Sequence, residues 1–206
     1  MARVAELMSS FPHDWALCGG WAVDAWLGRV TREHHDVDVA IFVEDQLVLT
    51  ELLRGWQVVA HDDHWRGTNP IFPGVPIVES EIWDGRAVEL PGHIHARAED
   101  GFEFEFNLNE RDAGEWLFNR EPRIALPLTR FTFDCGWGFA AASPEVVLFY
   151  KALPPLWRDE PRAPPRPHDE ADFAALLPSL SPEQRGWIGE SIAVIEPWHP
   201  WLSRLE

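Results

Sequence analysis

Lysine is nearly absent from this chain. Of the 17 basic residues, sixteen are arginine and one, Lys151, is lysine. Such an arginine bias reflects coding composition, yet it leaves a single lysine that invites a specific explanation. Positive charge is scarce altogether: 34 Asp and Glu give a formal net charge of −17. A surface this acidic repels bulk nucleic acid and anionic lipid and attracts cationic ligands, which argues against a duplex-binding module. Two cysteines, Cys18 and Cys135, are too few for a disulfide framework or a four-thiolate zinc site, and they suit a reducing compartment. No stretch reaches the roughly 18 apolar residues of a membrane span. The first six residues carry no long apolar run after their charge, so they do not read as a secretory signal. A soluble, acidic, cytoplasmic protein is expected.

What is present is enough for a packed core. Hydrophobic residues make up 46% of 206, which predicts one domain, or a core with a small appendage. The charge is uneven. Residues 1–150 carry 25 acids and 11 arginines, whereas 151–206 carry 9 acids and 6 basic groups, so the negative field belongs to the first three quarters. The pattern predicts a helix over 2–10 and a buried strand over 15–18. The Gly19-Gly20 turn follows, then a helix to Gly28 and a β-branched strand over 37–42. A helix is expected over 45–53, with Asp45 as its N-cap. Strand character recurs at 57–60, 77–83, 87–90 and 102–108. Ser143-Pro144 starts a helix, with Ser as N-cap and Pro in the first turn. A proline-rich connector at 161–167 precedes helices over 169–177 and 181–194. The class is α+β, with a catalytic core over 1–140 and a small helical segment over 141–206.

Asp36 and Asp38 project to one face of their strand, and Val37 and Val39 to the other. Two carboxylates so close repel unless a cation lies between them. Magnesium suits them, since it accepts a few carboxylates and completes its shell with water and phosphate oxygens. The strand–glycine–helix turn at Gly19-Gly20 offers backbone N–H groups and a helix N-terminus to an anion. A third carboxylate is expected on the alternating segment Phe102-Glu103-Phe104-Glu105-Phe106-Asn107-Leu108-Asn109. There Glu103 or Glu105 completes the metal site or acts as base. Arg32 is a phosphate neutraliser or a salt-bridge partner. Lys151 can reach a phosphate or the acceptor site. His61-Asp62-Asp63-His64 is a weaker metal candidate, and His93 and His95 share the polar face of a strand. Trp56, Trp65 and Trp83 are candidate stacking residues.

The run Cys18-Gly19-Gly20-Trp21-Ala22-Val23-Asp24-Ala25-Trp26-Leu27-Gly28-Arg29-Val30-Thr31-Arg32, followed by His34-His35-Asp36-Val37-Asp38, resembles the aminoglycoside nucleotidyltransferases. The likeness is to the 2''-adenylyltransferase-like branch of the polymerase-β-type nucleotidyltransferase superfamily. Residues 144–152 and Asp169-Glu170-Ala171-Asp172-Phe173 look like C-terminal signatures of related proteins, while 57–99 departs from the pattern. The resemblance implies a mixed sheet with flanking helices. It also implies Mg-dependent transfer of a nucleoside monophosphate from an NTP, ATP by expectation, to a hydroxyl of a small molecule, an aminoglycoside-like antibiotic by expectation, and the acidic core would suit such a cationic acceptor. Asp36 and Asp38 match the family's metal ligands, with two ions expected. Glu105, favoured over Glu103, matches the third carboxylate as base or ligand. Gly19, Gly20, Arg32 and Lys151 would hold the nucleotide. The alternatives are nucleotidyl transfer to a protein or RNA, and a nucleotide-binding protein without turnover.

Overall fold

The computed structural model describes residues 1–61, 92–153 and 165–206, together with Trp83, Gly85, Ala87 and Val88. Helix α1 (Ala2–Met8) buries Val4 and Met8 and leads to strand β1 (Trp15–Leu17). Helix α2 (Gly19–Leu27) starts directly on the glycine pair and stops at Gly28, whose φ of 67° is a left-handed cap. Strand β2 (Val37–Phe42) has the expected limits. The helix expected over 45–53 is instead a 3-10 segment, Val43–Val48, followed by one α-turn, α3 (Leu49–Leu52). Asp45 is not its N-cap. It is buried in that segment's first turn, with Arg111 Nη2 3.4 Å away.

Strands β3 (Gln57–His61), β4 (His93–Arg97) and β5 (Glu103–Asp112) follow. The strands expected over 77–83 and 87–90 lie largely outside the described residues. Beyond β5 come β6 (Glu115–Leu117), β7 (Ala125–Pro127), the short helix α4 (Leu128–Phe131), β8 (Thr132–Asp134) and β9 (Ala140–Ala142). The chain ends in α5 (Pro144–Ala152), α6 (Pro167–Leu176), α7 (Pro182–Ile195) and α8 (Leu202–Leu205).

The mixed sheet runs β3-β4-β5-β2-β1-β9-β8, with β6 and β7 continuing from the far half of β5. β2 and β5 are parallel and the pairs on either side of them are antiparallel. Period-2 alternation fixes the faces. Val37, Val39 and Ile41 stand in register with Phe104, Phe106 and Leu108, and all six are buried on the core side. The opposite face carries Asp38 beside Glu105.

The C-terminal helices pack back on the core. α5 packs on α2 and α7, and α6 packs on α2 and α5. Ser181 and Gln184 form a reciprocal capping box that starts α7. Gln184 Nε2 also donates to the buried Glu145 Oε2 at 2.6 Å, joining α7 to α5. The 140/141 position falls inside β9, which pairs with β1 through Leu17 and Ala141. Among the described residues, no helix is long and apolar enough to cross a membrane.

Candidate active site

The in-register pairing of β2 and β5 places Asp38 and Glu105 on neighbouring strands, with backbones about 4.8 Å apart. Both line a cavity of about 890 Å³, as does Asp36, the residue just before β2. Burial raises the proton affinity of Asp38 most, and the charges of Glu105 and Asp36 raise it further. The Lys151 ammonium opposes this, and so does a hydrogen bond from Asn107 Nδ2 to Asp38 Oδ1 at 3.3 Å. Glu105 is likewise raised, by burial first and then by the charge of Asp36, against the pull of Arg166. The site is thus a set of like charges held together by the sheet at an electrostatic cost.

The glycine turn makes room for these acids. Gly19 has φ +59°, and a Cβ there would lie 1.8 Å from Asp38 Oδ2. A Cβ on Gly20 would lie 2.4 Å from Arg32 Nη2 and 2.6 Å from the His34 ring. The Cys18 amide donates to the Asp38 carbonyl at 2.9 Å, so the first amides of α2 and the acid strand meet at one wall.

Between α2 and β2 the chain is tied down by a buried acid. Asp24 Oδ1 accepts from the Thr31 amide at 2.9 Å and from its hydroxyl, while Oδ2 lies 2.6 Å from His34 Nε2. His34 also stacks on Trp21, with centroids 4.4 Å apart, and Trp21 Nε1 donates to the Asp36 carbonyl at 3.1 Å. Asp24 and His34 stood inside the recognised run, but no role could be read for either without this geometry.

In the same cavity Lys151 Nζ lies 2.8 Å from Asp169 Oδ1 and 2.8 Å from Asp172 Oδ2. Arg32 is both a cavity residue and an ion-pair partner, its Nη2 3.3 Å from Asp172 Oδ2. Arg166 Nε donates to Asp169 Oδ2 at 2.5 Å. The structure therefore brings Gly19, Gly20, Arg32, Asp36, Asp38, Glu105 and Lys151 to one cavity. Glu103 is not among the described lining residues. It is engaged by Arg97 Nε at 3.4 Å and lies 3.7 Å from His95 Nε2. Of the His61–His64 run, only His61 is described, at the end of β3. Trp56 packs on Phe104 and Trp83 packs against the core, while Trp65 lies outside the described residues.

Among the described residues, no three or more His, Cys, Asp or Glu side chains are arranged so as to hold a metal ion between them. An open site is another matter. Asp36, Asp38 and Glu105 offer hard anionic oxygens whose mutual repulsion a divalent cation relieves. Magnesium takes its remaining ligands from water and phosphate. The donor set fits that ion in that way.

No curated protein sequence matches the chain. The fold is similar to a crystal structure of ANT(2'')-Ia in complex with adenylyl-2''-tobramycin, with a TM-score of 0.55 and 17% identity over 95% of this chain and 94% of that one. It is also similar to a solution structure of the antibiotic-resistance factor ANT(2'')-Ia, with a TM-score of 0.57 and 16% identity over 98% and 92%. A third likeness is to lincomycin-bound LnuA, a lincosamide antibiotic adenylyltransferase, with a TM-score of 0.54 and 15% identity over 85% and 92%. These similarities speak for the α+β fold. The family model of aminoglycoside-2''-adenylyltransferase matches residues 1–121, more than half of the chain and the part that carries the glycine turn and all three carboxylates, and the chain belongs to that family of enzymes.

Proposed function

We propose that the protein transfers a nucleoside monophosphate from a Mg-bound NTP, ATP by preference, to a hydroxyl of a small cationic antibiotic of the aminoglycoside kind. The observation that carries this is the in-register pair Asp38 and Glu105, set with Asp36 against the Gly19-Gly20 turn in one cavity. Asp36 and Asp38, with Glu105 beside them, would hold magnesium, in one or two ions, which supplies charge neutralisation on the phosphate oxygens.

The chain's own groups do the rest. The amides at the start of α2, with Arg32 and Lys151, hold the triphosphate and leave the α-phosphorus over the acids. Glu105 accepts the proton of the acceptor hydroxyl. The hydroxyl oxygen bonds to the α-phosphorus as the bond to pyrophosphate breaks, in line. The −17 net charge attracts a polycationic acceptor and disfavours RNA. ANT(2'')-Ia carries an adenylylated tobramycin in its complex, which supports the same acceptor class here.

The test is Mg-dependent pyrophosphate release from each NTP across a panel of aminoglycosides and lincosamides. Release that depends on one of these acceptors is expected. Release only with a protein or RNA acceptor would overturn the acceptor class, and NTP binding without release from any acceptor would make the protein a non-catalytic binder.

A further inference from the structure

We propose that Asp169 and Asp172 of α6 are positioning residues that seat Lys151 and Arg32 for the phosphate end of the nucleotide. The inference rests on the cavity being a nucleotide site. Both acids lie outside the 1–121 region that the family model matches.

The two aspartates are three residues apart on α6 and so share one helix face. Both are buried, with side chains 2% and 4% exposed, and the Lys151 side chain between them is 8% exposed. Each acid holds a second cation as well. Asp169 takes Arg166 Nε at 2.5 Å, with His168 Nε2 3.6 Å away, and Asp172 takes Arg32 Nη2 at 3.3 Å. Three permanent cations thus share these two carboxylates, and Lys151 and Arg166 also face the acids of the sheet, Asp38 and Glu105.

Stability alone is a poor account of this cluster. Buried ion pairs seldom outperform a hydrophobic replacement of the same volume, because desolvation offsets the attraction. Geometry gives a better one. Lys151, Arg32 and Arg166 all line the cavity, while Asp172 is not among the residues lining it and stands behind Lys151 and Arg32. Without the two acids, Lys151 and Arg32 would lose the ion-pair partners that fix their head groups and would be drawn towards Asp38 and the other acids of the cavity. With them, the ammonium and the Arg32 guanidinium are fixed beside the start of α2, where Arg32 Nη2 already fills the space a Cβ on Gly20 would need. Those amides and cations converge on the same anion.

Because Lys151 is the only lysine, it can be followed by chemistry independent of turnover. Trace acylation with an N-hydroxysuccinimide acetate, mapped by peptide mass against the N-terminal amine, reads its accessibility. Asp172→Asn and Asp169→Asn should each acylate Lys151 about tenfold faster than wild type, the worth of roughly one charge-assisted hydrogen bond. An unchanged rate in both variants overturns the seat. In steady-state assays, Asp172→Asn should raise KM for the NTP about tenfold, with kcat and the acceptor KM within about threefold, and Asp172→Glu should recover most of the loss. A lower melting temperature with unchanged kinetics, or a parallel loss in kcat and both KM values, would make the acids merely structural and overturn the proposal. If wild type turns over no NTP, the functional reading fails, and the acylation rates still decide the seat.

Discussion

Gly19 and Asp38 are in closer contact than any side chain at position 19 would allow: a Cβ there would lie 1.8 Å from the Asp38 carboxylate. Gly19→Ala must therefore move the acid, besides straining a φ of +59° by about 1–2 kcal/mol. A misplacement of about 1 Å at a reacting centre costs about 10²-fold, so kcat/KM should fall at least that far. Gly28→Ala is the control. Its φ is +67° and nothing lies within 4 Å, so it should cost similar stability in a melting curve and keep its activity.

Asp38→Asn should have two opposed effects. It removes an anionic ligand, so Mg-dependent NTP binding measured by calorimetry should weaken sharply. It also removes a charge buried against Glu105 and Asp36, so the Mg-free variant should melt higher than wild type at pH 8. Equal ATP binding by both proteins, with and without Mg²⁺, would contradict the metal role.

Glu105→Gln should lower kcat by about 10²–10⁴-fold, the usual worth of a general base, with nucleotide binding largely kept. Loss of binding and turnover together would make Glu105 a metal ligand instead. Glu103→Gln, outside the described cavity lining and engaged with Arg97, should be comparatively harmless in the same assay.

Asp24→Ala should cost roughly 3 kcal/mol, since it strands the Thr31 and His34 donors of a fully buried acid. For a chain of this size that lowers the melting temperature by about 6–12 °C. Because the loop it ties leads into Asp36, NTP affinity should fall as well.

Stability of the Mg-free protein should decline as pH rises from about 4 towards and past neutrality. Asp38 and Glu105 have raised proton affinity when folded, so the folded state holds more protons than the unfolded above about pH 4, and stability falls as pH rises towards and past neutrality. His93 is pushed down to about 4 by burial and by His95, so between about pH 4 and 6.5 it opposes this slope, but one imidazole offsets only one of the two carboxyls. Asp38→Asn should flatten this decline in melting curves taken across pH, because the Glu105 and His93 contributions then oppose each other.

The parts of the site written locally were legible in the sequence. Val37–Phe42 is β-branched and apolar but for Asp38, and Gly19-Gly20 punctuates a strand and a helix, so these elements could be read locally, although β2 begins one residue after Asp36. Relations that depend on tertiary pairing were not. Nothing local says that Glu105, rather than Glu103, stands level with Asp38; the β2–β5 register decides it. Asp169 and Asp172 were visible as acids in a signature, but not as the partners of Lys151. Strands β6 to β9 are three residues each, too short for alternation to show. The 3-10 segment displaced a helix because its Asp45 and Gln46 turn inward, Asp45 to Arg111 and Gln46 to the Val88 backbone.

The pairing of β1 with β9 bears on how the chain can be made. During synthesis the amino-terminal strands emerge first, and domains begin to form as they appear. β1 and β2 can pair early, and β2 must then wait for β5, which follows β3 and β4 in the chain. β1 keeps one open edge until residues 140–142 arrive, and an open edge is a template for pairing with another chain. Lys151, whose charge offsets that of Asp38, comes later still, and its two aspartates last. A nascent chain stalled before residue 140 would hold its acids without their cations and expose a strand edge. Late ribosomal pausing and carboxy-terminal truncation are therefore the points at which this protein is most prone to aggregate.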